Sequence, residues 1–153
     1  MTPPTIHASA VLVGPKAVLI RGASGAGKSS LAWGLIEAAA QNRFDGALTF
    51  ARLVADDRAF VEAKSGRLMV RPAPNLAGLL EIRGLGIRKI AYEPLAVVGL
   101  VVDLAASDAA RLPSREAEKT LISGITLPRL AVAAGGDALA MVVACLRTAP
   151  GTA

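Results

Sequence analysis

Most apolar residues of the chain fall into short runs that are separated by glycine, proline or charged residues. Runs of this kind, rich in valine, leucine, isoleucine and alanine, predict β-strands. The predicted strands cover residues 6–13, 17–21, 51–55, 59–63, 67–71, 79–82, 87–91 and 95–104, and residues 121–132 are predicted to hold one or two more. The run 95–104 is almost continuously apolar, which is typical of a strand buried on both faces.

Two further segments have the spacing of helices. Leu31, Leu35 and Ala38 recur at helical intervals between residues 30 and 40, and a last helix is predicted over 138–148 with Asp137 as its N-cap. Hairpins beside a strand–loop–helix unit predict an α/β fold in which a mixed β-sheet is covered by helices. At 153 residues the chain has the length of a single domain, 1–153.

The segment between the strand 17–21 and the first helix fits the phosphate-binding pattern G-x-x-x-x-G-K-[ST]. It consists of Gly22, Ala23, Ser24, Gly25, Ala26, Gly27, Lys28 and Ser29. Its small residues let backbone N–H groups approach phosphate oxygens, and the helix that starts at Lys28 directs its positive end to the same anion. Lys28 adds a charge near the β/γ-phosphates, and Ser29 offers a hydroxyl to Mg²⁺. The sequence therefore predicts nucleotide binding.

Composition narrows the class of protein further. Lys and Arg number 17 against 12 Asp and Glu, a net charge of +5, but aromatics make up only 3% and no basic run accompanies the charge. We therefore predict no nucleic-acid partner. Asp103 interrupts the apolar stretch 95–106, and no run approaches the roughly 20 residues that a membrane span needs. The single cysteine, Cys145, is typical of a reducing cytoplasm, where we expect the protein.

A phosphate loop that uses Mg²⁺ needs an acidic residue nearby, and two candidates follow apolar strands. Asp103 closes a run of valines and leucines, which is the form of a Walker-B strand. Asp56 and Asp57 follow the shorter strand 51–55, and because neighbouring residues point in opposite directions, one can face the metal while the other takes a proton. The residue pattern alone leaves Asp103 and the Asp56–Asp57 pair as equal alternatives.

Two motifs after the phosphate loop favour the pair. Leu53-Val54-Ala55-Asp56-Asp57 and Leu80-Glu81-Ile82-Arg83-Gly84-Leu85-Gly86-Ile87, in this order, resemble the catalytic domain of the HPr kinase/phosphorylase family over residues 5–146. The resemblance implies a P-loop fold of the phosphoenolpyruvate-carboxykinase-like type. It also implies a homo-hexameric, ATP- and Mg²⁺-dependent kinase that phosphorylates a serine of the phosphocarrier protein HPr.

The resemblance assigns acidic and metal-binding roles by position. It implies that Asp57 accepts the serine proton in the kinase reaction and returns it in the reverse reaction. Asp56, beside it, serves as metal-binding or orienting support. Glu81 matches the family's acidic metal-binding residue, so the implied Mg²⁺ ligands are Ser29, Asp56 and Glu81.

The resemblance also implies further catalytic and nucleotide-binding residues. His7, the chain's only histidine, matches one that assists the acidic residue, and Arg111 matches a catalytic arginine. Arg83 begins the family's catalytic signature. The implied catalytic residues are thus Asp57, His7, Lys28, Arg83 and Arg111. The implied ATP-binding residues are the phosphate loop from Gly22 to Ser29 together with Ser30, which stands where the family often has a glutamate.

Two departures from the family pattern change what we expect. Family members typically carry a separate N-terminal domain, and we expect this chain to be a short form that lacks it. Residues 132–137 lack the basic segment that the family ties to dephosphorylation, so we predict kinase activity with weak or absent phosphorolysis. Two alternatives remain open: a P-loop kinase of a small molecule, and a nucleotide-binding regulator without transfer activity.

Overall fold

The structure is a computed structural model that describes residues 5–151, apart from the side chain of residue 47. This part of the chain contains eleven β-strands and two α-helices. The strands are β1 (Thr5–Ile6), β2 (Ala8–Val13), β3 (Lys16–Arg21), β4 (Ala51–Ala55), β5 (Ala59–Lys64), β6 (Arg67–Pro72), β7 (Leu79–Ile82), β8 (Gly86–Lys89), β9 (Ala96–Leu104), β10 (Lys119–Ile122) and β11 (Ile125–Val132). The helices are α1 (Lys28–Ala40) and α2 (Ala138–Arg147). Neither described helix is long and apolar enough to cross a membrane.

Strand β9 is the centre of the main sheet. Along one edge it pairs in parallel with β3, the strand that leads into the phosphate loop. Along the other edge its first residues pair antiparallel with β6, and its last residues pair in parallel with β11. The order is β1-β5-β6-β9-β3-β2-β4, with β10 joined to β11. The sheet therefore divides at β9 into a β5–β6 branch and a β10–β11 branch.

The strands pack into two hydrophobic clusters, one on each face of the sheet. In β3, Val18 and Ile20 join a cluster that contains residues of α1 and α2, while Ala17 and Leu19 join the second cluster. The buried members of the second cluster come from the strands, among them Val61 of β5. The predicted mixed α/β sheet is thus confirmed, and the structure adds that both described helices cover the same face.

The predicted elements are present, and the differences are local. The strand predicted over 6–13 is divided at His7, because β1 pairs with β5 whereas β2 pairs with β3 and β4. The segment predicted to hold one or two strands forms parts of both β10 and β11. The last helix begins as predicted, since Asp137 Oδ1 accepts a hydrogen bond from the N–H of Ala140 at 3.0 Å.

Strands β7 and β8 form a separate two-stranded hairpin, which carries the family signature noted above. Gly84 in its turn and Gly86 at the start of β8 both have φ +87°, a left-handed conformation that glycine adopts without steric cost. Every residue of β8 is exposed. Leu80 of β7 is fully buried in the cluster that contains residues of α1, so the hairpin packs on the core through β7 and exposes β8.

Candidate active site

The phosphate loop joins β3 to α1, and the structure explains why glycine occupies two of its positions. A Cβ at Gly22 would lie 3.1 Å from the Cβ of Ala26 and 3.3 Å from that of Leu104, so the loop packs too closely there for a side chain. Gly27 is the N-cap of α1 at φ +104°. The first turn of α1 has neither a side-chain cap nor an acidic residue. Its N–H groups and positive dipole end are therefore available to a phosphate.

Lys28 lies across the mouth of the loop. Its side chain is only 6% exposed, and its Nζ donates to the carbonyl oxygens of Gly22 at 2.8 Å and Ala23 at 3.3 Å. The same nitrogen lies 3.9 Å from Oδ1 of Asp57. A single positive charge is thus held between the loop and an acidic residue, where the terminal phosphates of a nucleotide would bind.

Asp56 connects the phosphate loop to the rest of the site. Its Oδ1 accepts hydrogen bonds from the hydroxyls of Ser9 and Ser29, both at 2.7 Å. Its Oδ2 accepts a second contact from Ser29 at 2.9 Å and the N–H of Glu81 at 3.1 Å. Asp56 is only 9% exposed. This buried carboxylate therefore joins β2, the start of α1 and the signature hairpin at one point.

A β-bulge turns Asp56 toward the loop. Ala10 of β2 pairs with Ala55, but the next residue, Val11, pairs with Leu53, so Val54 is an extra residue in β4. Val54 and Ala55 are consecutive, yet both pack in the cluster away from the helices. The alternation of faces is interrupted there, and the residue that follows reaches the α1 side, where Ser29 lies. Bulges next to active sites commonly re-aim a side chain in this way.

Asp57 has an environment unlike that of its neighbour. Its side chain is 63% exposed and stands 3.9 Å from Lys28 Nζ, and it lines the cleft described below. Its backbone is left-handed, with φ +65°, a conformation uncommon for residues other than glycine. Its N–H donates to the hydroxyl of Ser9 at 3.1 Å. Strain of this type is often concentrated at functional sites.

Asp103, the alternative acidic residue, has a different set of partners. Arg21 donates to its two oxygens at 2.7 and 2.8 Å, and Arg129 donates at 2.6 Å. Burial on its own would raise the pKa of Asp103, but hydrogen bonds from Arg21 and Arg129 hold it below its usual value. Arg129 also donates to Asp108, and its hydrogen bonds to the carboxylates of Asp108 and Asp103 raise the pKa of this guanidinium. The Asp103 carboxylate, near the end of β9, therefore links β3, β9 and β11. The serine of the phosphate loop, Ser29, bonds Asp56 and not Asp103.

The loop and the signature hairpin face each other across a cleft of about 580 Å³. Its lining residues are Ser24, Gly25, Gly27, Lys28, Ser29, Ser30, Asp57, Glu81, Ile82, Arg83, Gly84 and Gly86. Three motifs that are separated along the sequence thus meet in one cavity: the phosphate loop, the second aspartate of the pair, and the start of the signature. Asp56 lies behind this surface, bonded to Ser29.

Two of the candidate catalytic residues lie elsewhere in the described part of the chain. His7 is exposed at the bend between β1 and β2, and Arg111 is exposed in the segment between β9 and β10. Neither is among the residues that line the cleft. Their catalytic roles stay predictions that rest on the resemblance.

A second pocket, of about 420 Å³, lies on the other side of the phosphate loop. It shares Gly25, Gly27 and Ser30 with the cleft, and otherwise consists of small and apolar residues. These residues are Ala26, Leu31, Leu104, Ala105, Val132, Ala133, Ala134, Gly135, Gly136, Ala138 and Leu139. The segment before α2, which the sequence marked only for its lack of an arginine, therefore forms a pocket wall beside the loop.

Sequence reasoning missed Ser9, which contacts both aspartates. The one signal that points to it is its polarity in the otherwise apolar strand β2, Ala8–Val13. A serine hydroxyl in a buried strand needs a partner, because an unpaired buried polar group is costly. The sequence does not say where that partner lies, since Asp56 is 47 residues away.

The donor groups fit Mg²⁺ when it is bound together with a nucleotide. Ser29 offers a hydroxyl beside the Asp56 carboxylate, and Glu81 lines the same cleft. Among the described residues, no group of three or more His, Cys, Asp or Glu side chains gathers closely enough to hold a metal ion. Mg²⁺ is usually bound by one or two carboxylates together with phosphate oxygens and water, so such a group is not required.

Fold and cleft together define a phosphate-loop nucleotide-binding domain. The chain belongs to the family of the HPr serine kinase C-terminal domain, whose model matches residues 2–145. It is 36% identical over 138 residues to an HPr kinase/phosphorylase of Geobacillus thermodenitrificans, and 43% identical over 84 residues to one of Streptococcus thermophilus. These matches cover 83% and 54% of this chain, but only 41% and 24% of those relatives. The chain thus spans less than half the length of the curated relatives it matches.

A solved structure supports the fold. The HPr(Ser) kinase/phosphatase of Coxiella burnetii superposes with a TM-score of 0.73 at 21% sequence identity, and the match covers 94% of both chains. The arrangement of strands and helices is therefore that of an HPr kinase catalytic domain, as the resemblance in the sequence implied.

Proposed function

We propose that this chain is an ATP- and Mg²⁺-dependent protein serine kinase that phosphorylates the phosphocarrier protein HPr. One observation carries the proposal: the phosphate-loop residues Lys28 and Ser29 contact the neighbouring aspartates Asp57 and Asp56 at a cleft that the signature hairpin closes. Membership of the HPr serine kinase family supports the choice of substrate.

The loop would bind the phosphates of ATP through its N–H groups and Lys28. Ser29, Asp56 and Glu81 would hold Mg²⁺, which supplies positive charge that neutralises the phosphates. Asp56 keeps the Ser29 hydroxyl in place through two short contacts. Because phosphoryl transfer depends mainly on positioning and charge, fixed groups of this kind favour the reaction.

In the proposed reaction, Asp57 receives the proton of the acceptor serine. The serine oxygen forms a bond to the γ-phosphorus, the bond between that phosphorus and the leaving oxygen of ADP breaks, and the serine proton goes to the Asp57 carboxylate. The exposure of Asp57 fits this role, since a protein substrate must reach it from solvent. His7 and Arg111 are carried into the proposal from the resemblance, as an aid to the acid and a catalytic arginine.

The wider properties of the proposal also come from the family. We assign the homo-hexameric assembly of HPr kinases to this chain, and we place the activity in the cytoplasm, where ATP is available. The forward direction is favoured over phosphorolysis, because the wall formed by residues 133–136 consists of Ala and Gly and carries no arginine to hold inorganic phosphate.

Replacing the proposed proton acceptor tests whether the chain is a kinase or a nucleotide-binding regulator. We expect Asp57→Asn to lower kcat for HPr phosphorylation by about 10²- to 10⁴-fold, while nucleotide affinity is retained. Asp45→Asn is the matched control, because Asp45 is 79% exposed and pairs with Arg147, at the end of α2. If Asp57→Asn left kcat unchanged, Asp57 would not be the acceptor and the kinase mechanism would be wrong.

A further inference from the structure

Ser9 is a buried hydroxyl that the proposed mechanism does not yet use. It lies in β2, opposite Ile20 of β3, and its exposure is 0%. Alternation along β2 places it on the same face as Val11 and Val13, which both pack against the helices. Ser9 is thus a polar side chain on the apolar face of a strand, where a residue needs a specific partner.

The Ser9 hydroxyl both donates and accepts a hydrogen bond within the aspartate pair. The Ser9 hydroxyl donates to Asp56 Oδ1 at 2.7 Å and accepts from the N–H of Asp57 at 3.1 Å. The first bond fixes the carboxylate from the side of the sheet, while Ser29 bonds it from the side of α1. The orientation of the Asp56 carboxylate is therefore defined from two elements.

The second bond acts on the backbone of the neighbouring residue. Asp57 has φ +65°, and the N–H of Arg58 turns back to the carbonyl oxygen of Asp56 at 2.7 Å. A left-handed aspartate persists only where its surroundings hold it. The bond from the Asp57 N–H to Ser9 is such a restraint, and it helps to direct the Asp57 side chain toward Lys28 and the cleft.

We propose that Ser9 is a positioning residue that sets the Asp56 carboxylate for Mg²⁺ and holds Asp57 in its productive backbone conformation. The inference rests on the proposed function for the Mg²⁺–nucleotide site, and it adds a residue that acts only through the aspartates. Removal of the Ser9 hydroxyl should therefore lower the nucleotide affinity that depends on Mg²⁺. It should not lower the affinity that the loop and Lys28 supply without metal.

A matched pair of substitutions isolates the hydroxyl from side-chain shape. Ser9→Thr and Ser9→Val have nearly the same volume and both suit a strand, but only threonine keeps the hydroxyl. Ser9→Ala gives a third variant with no added volume, and thermal unfolding of each variant confirms that it is folded. The measurement is the dissociation constant for ADP and for ATP, by calorimetry, with Mg²⁺ and with EDTA.

We expect Ser9→Val and Ser9→Ala to lose about 10- to 100-fold of the Mg²⁺-dependent gain in nucleotide affinity, the usual effect of removing a group that orients a metal ligand. Their affinity in EDTA should match that of the unaltered protein, and Ser9→Thr should retain the Mg²⁺-dependent gain. In HPr phosphorylation, the alanine variant should lose kcat with little change in the KM for HPr, because Ser9 lies away from the substrate.

Three results would overturn the inference. These are a full Mg²⁺-dependent gain in the alanine and valine variants, equal losses with Mg²⁺ and with EDTA, or no Mg²⁺-dependent gain in the unaltered protein. The binding experiment needs no HPr, so its outcome is separate from that of the proposed kinase activity. A chain whose Mg²⁺-dependent nucleotide affinity depends on the Ser9 hydroxyl, but which leaves HPr unmodified, would contradict the proposed function alone.

Discussion

Two neighbouring aspartates occupy different environments, and the proposed mechanism gives them different roles. Asp56 is buried and accepts hydrogen bonds from Ser9, Ser29 and the backbone of Glu81. Asp57 is exposed beside Lys28. A buried carboxylate that is held by several donors suits a fixed metal ligand, whereas an exposed one can meet a protein substrate. The bulge at Val54 interrupts the alternation of β4 and turns Asp56 toward α1.

The ion pairs of Asp103 lead to a prediction about stability. Asp103→Asn leaves Arg21 and Arg129 without their shared carboxylate, and we expect the free energy of unfolding to fall by about 2 to 3 kcal/mol at pH 7. The pKa of Asp103 is lowered in the folded chain, so unfolded Asp103 takes up its proton at a higher pH than folded Asp103. Its contribution is therefore present at neutral pH and is lost as the pH falls from about 5 toward 2.

Urea denaturation at several pH values checks this prediction. Between about pH 5 and pH 2, the Asp103→Asn protein should lose less stability than the unaltered protein. This is the pH range in which a carboxylate with a lowered pKa loses its contribution to stability. Asp108→Asn is the control, because Asp108 bonds the same Arg129 from a more exposed position and should matter less. If the free energy of unfolding fell equally with pH in the Asp103→Asn and unaltered proteins, the stabilising role assigned to Asp103 would be wrong.

The sequence singled out most of the residues that line the cleft, but not the contacts between them. The phosphate loop was evident because its function imposes residue types at fixed spacing within one segment. The choice between Asp103 and the Asp56–Asp57 pair was not, since pattern alone left it open. In the structure, the partners of Asp103 are Arg21 and Arg129, which lie 82 and 26 residues away along the chain. Sequence spacing contains no information about such contacts until the strand order is known.

At the scale of elements, the loop between β3 and α1 depends on its backbone conformation. Gly27, at φ +104°, lets the chain enter α1 with its first N–H groups directed to the phosphate site. Gly66 has a similar conformation, at φ +76°, in the turn between β5 and β6. A Cβ at either position would meet no atom within 4 Å, so both substitutions act through the backbone alone.

These two glycines form a matched pair for mutation. Gly27→Ala and Gly66→Ala should each lower the free energy of unfolding by about 1 to 2 kcal/mol, the cost of a left-handed residue with a Cβ. Only Gly27→Ala should also lose nucleotide affinity, because only that position shapes the phosphate site. Denaturation curves and ATP titrations measure the two effects. If Gly66→Ala weakened ATP binding as much as Gly27→Ala, the effect would not be specific to the loop.

Most elements could be predicted because each has a local signal. The turn at Ser65-Gly66 separates two apolar strands, and Asp137 caps α2 as its position indicates. The interruption at His7 could not be predicted, because it arises when β1 leaves β2 to pair with β5. The placement of both described helices on one face of the sheet could not be predicted either. It depends on the β5–β6 branch, whose residues pack in the cluster on the opposite face.

At the scale of the whole molecule, the branching of the sheet at β9 determines where the segment before α2 lies. Strand β11 runs parallel to β9 and ends beside the phosphate loop, so residues 133–136 form a wall of the pocket there. This wall contains only small side chains. The fold thus places next to the phosphate loop a segment of alanine and glycine that carries no basic side chain.

Phosphorolysis should accordingly be weak. Incubation of serine-phosphorylated HPr with inorganic phosphate and Mg²⁺ should release pyrophosphate slowly or not at all, while the same preparation phosphorylates HPr with ATP. Ala134→Arg, at an exposed position of the wall, returns a basic side chain and should raise the rate. Rapid pyrophosphate release by the unaltered chain would show that the missing arginine is not needed.

The most direct test of the account is the mass of HPr after incubation with the purified chain and Mg²⁺–ATP. We predict the gain of one phosphate group on HPr. The gain should disappear with Lys28→Ala, which removes the charge at the mouth of the loop, and with an HPr that lacks its acceptor serine. An unchanged mass of HPr, from a chain that still binds ATP, would contradict the proposal that this domain is an HPr kinase.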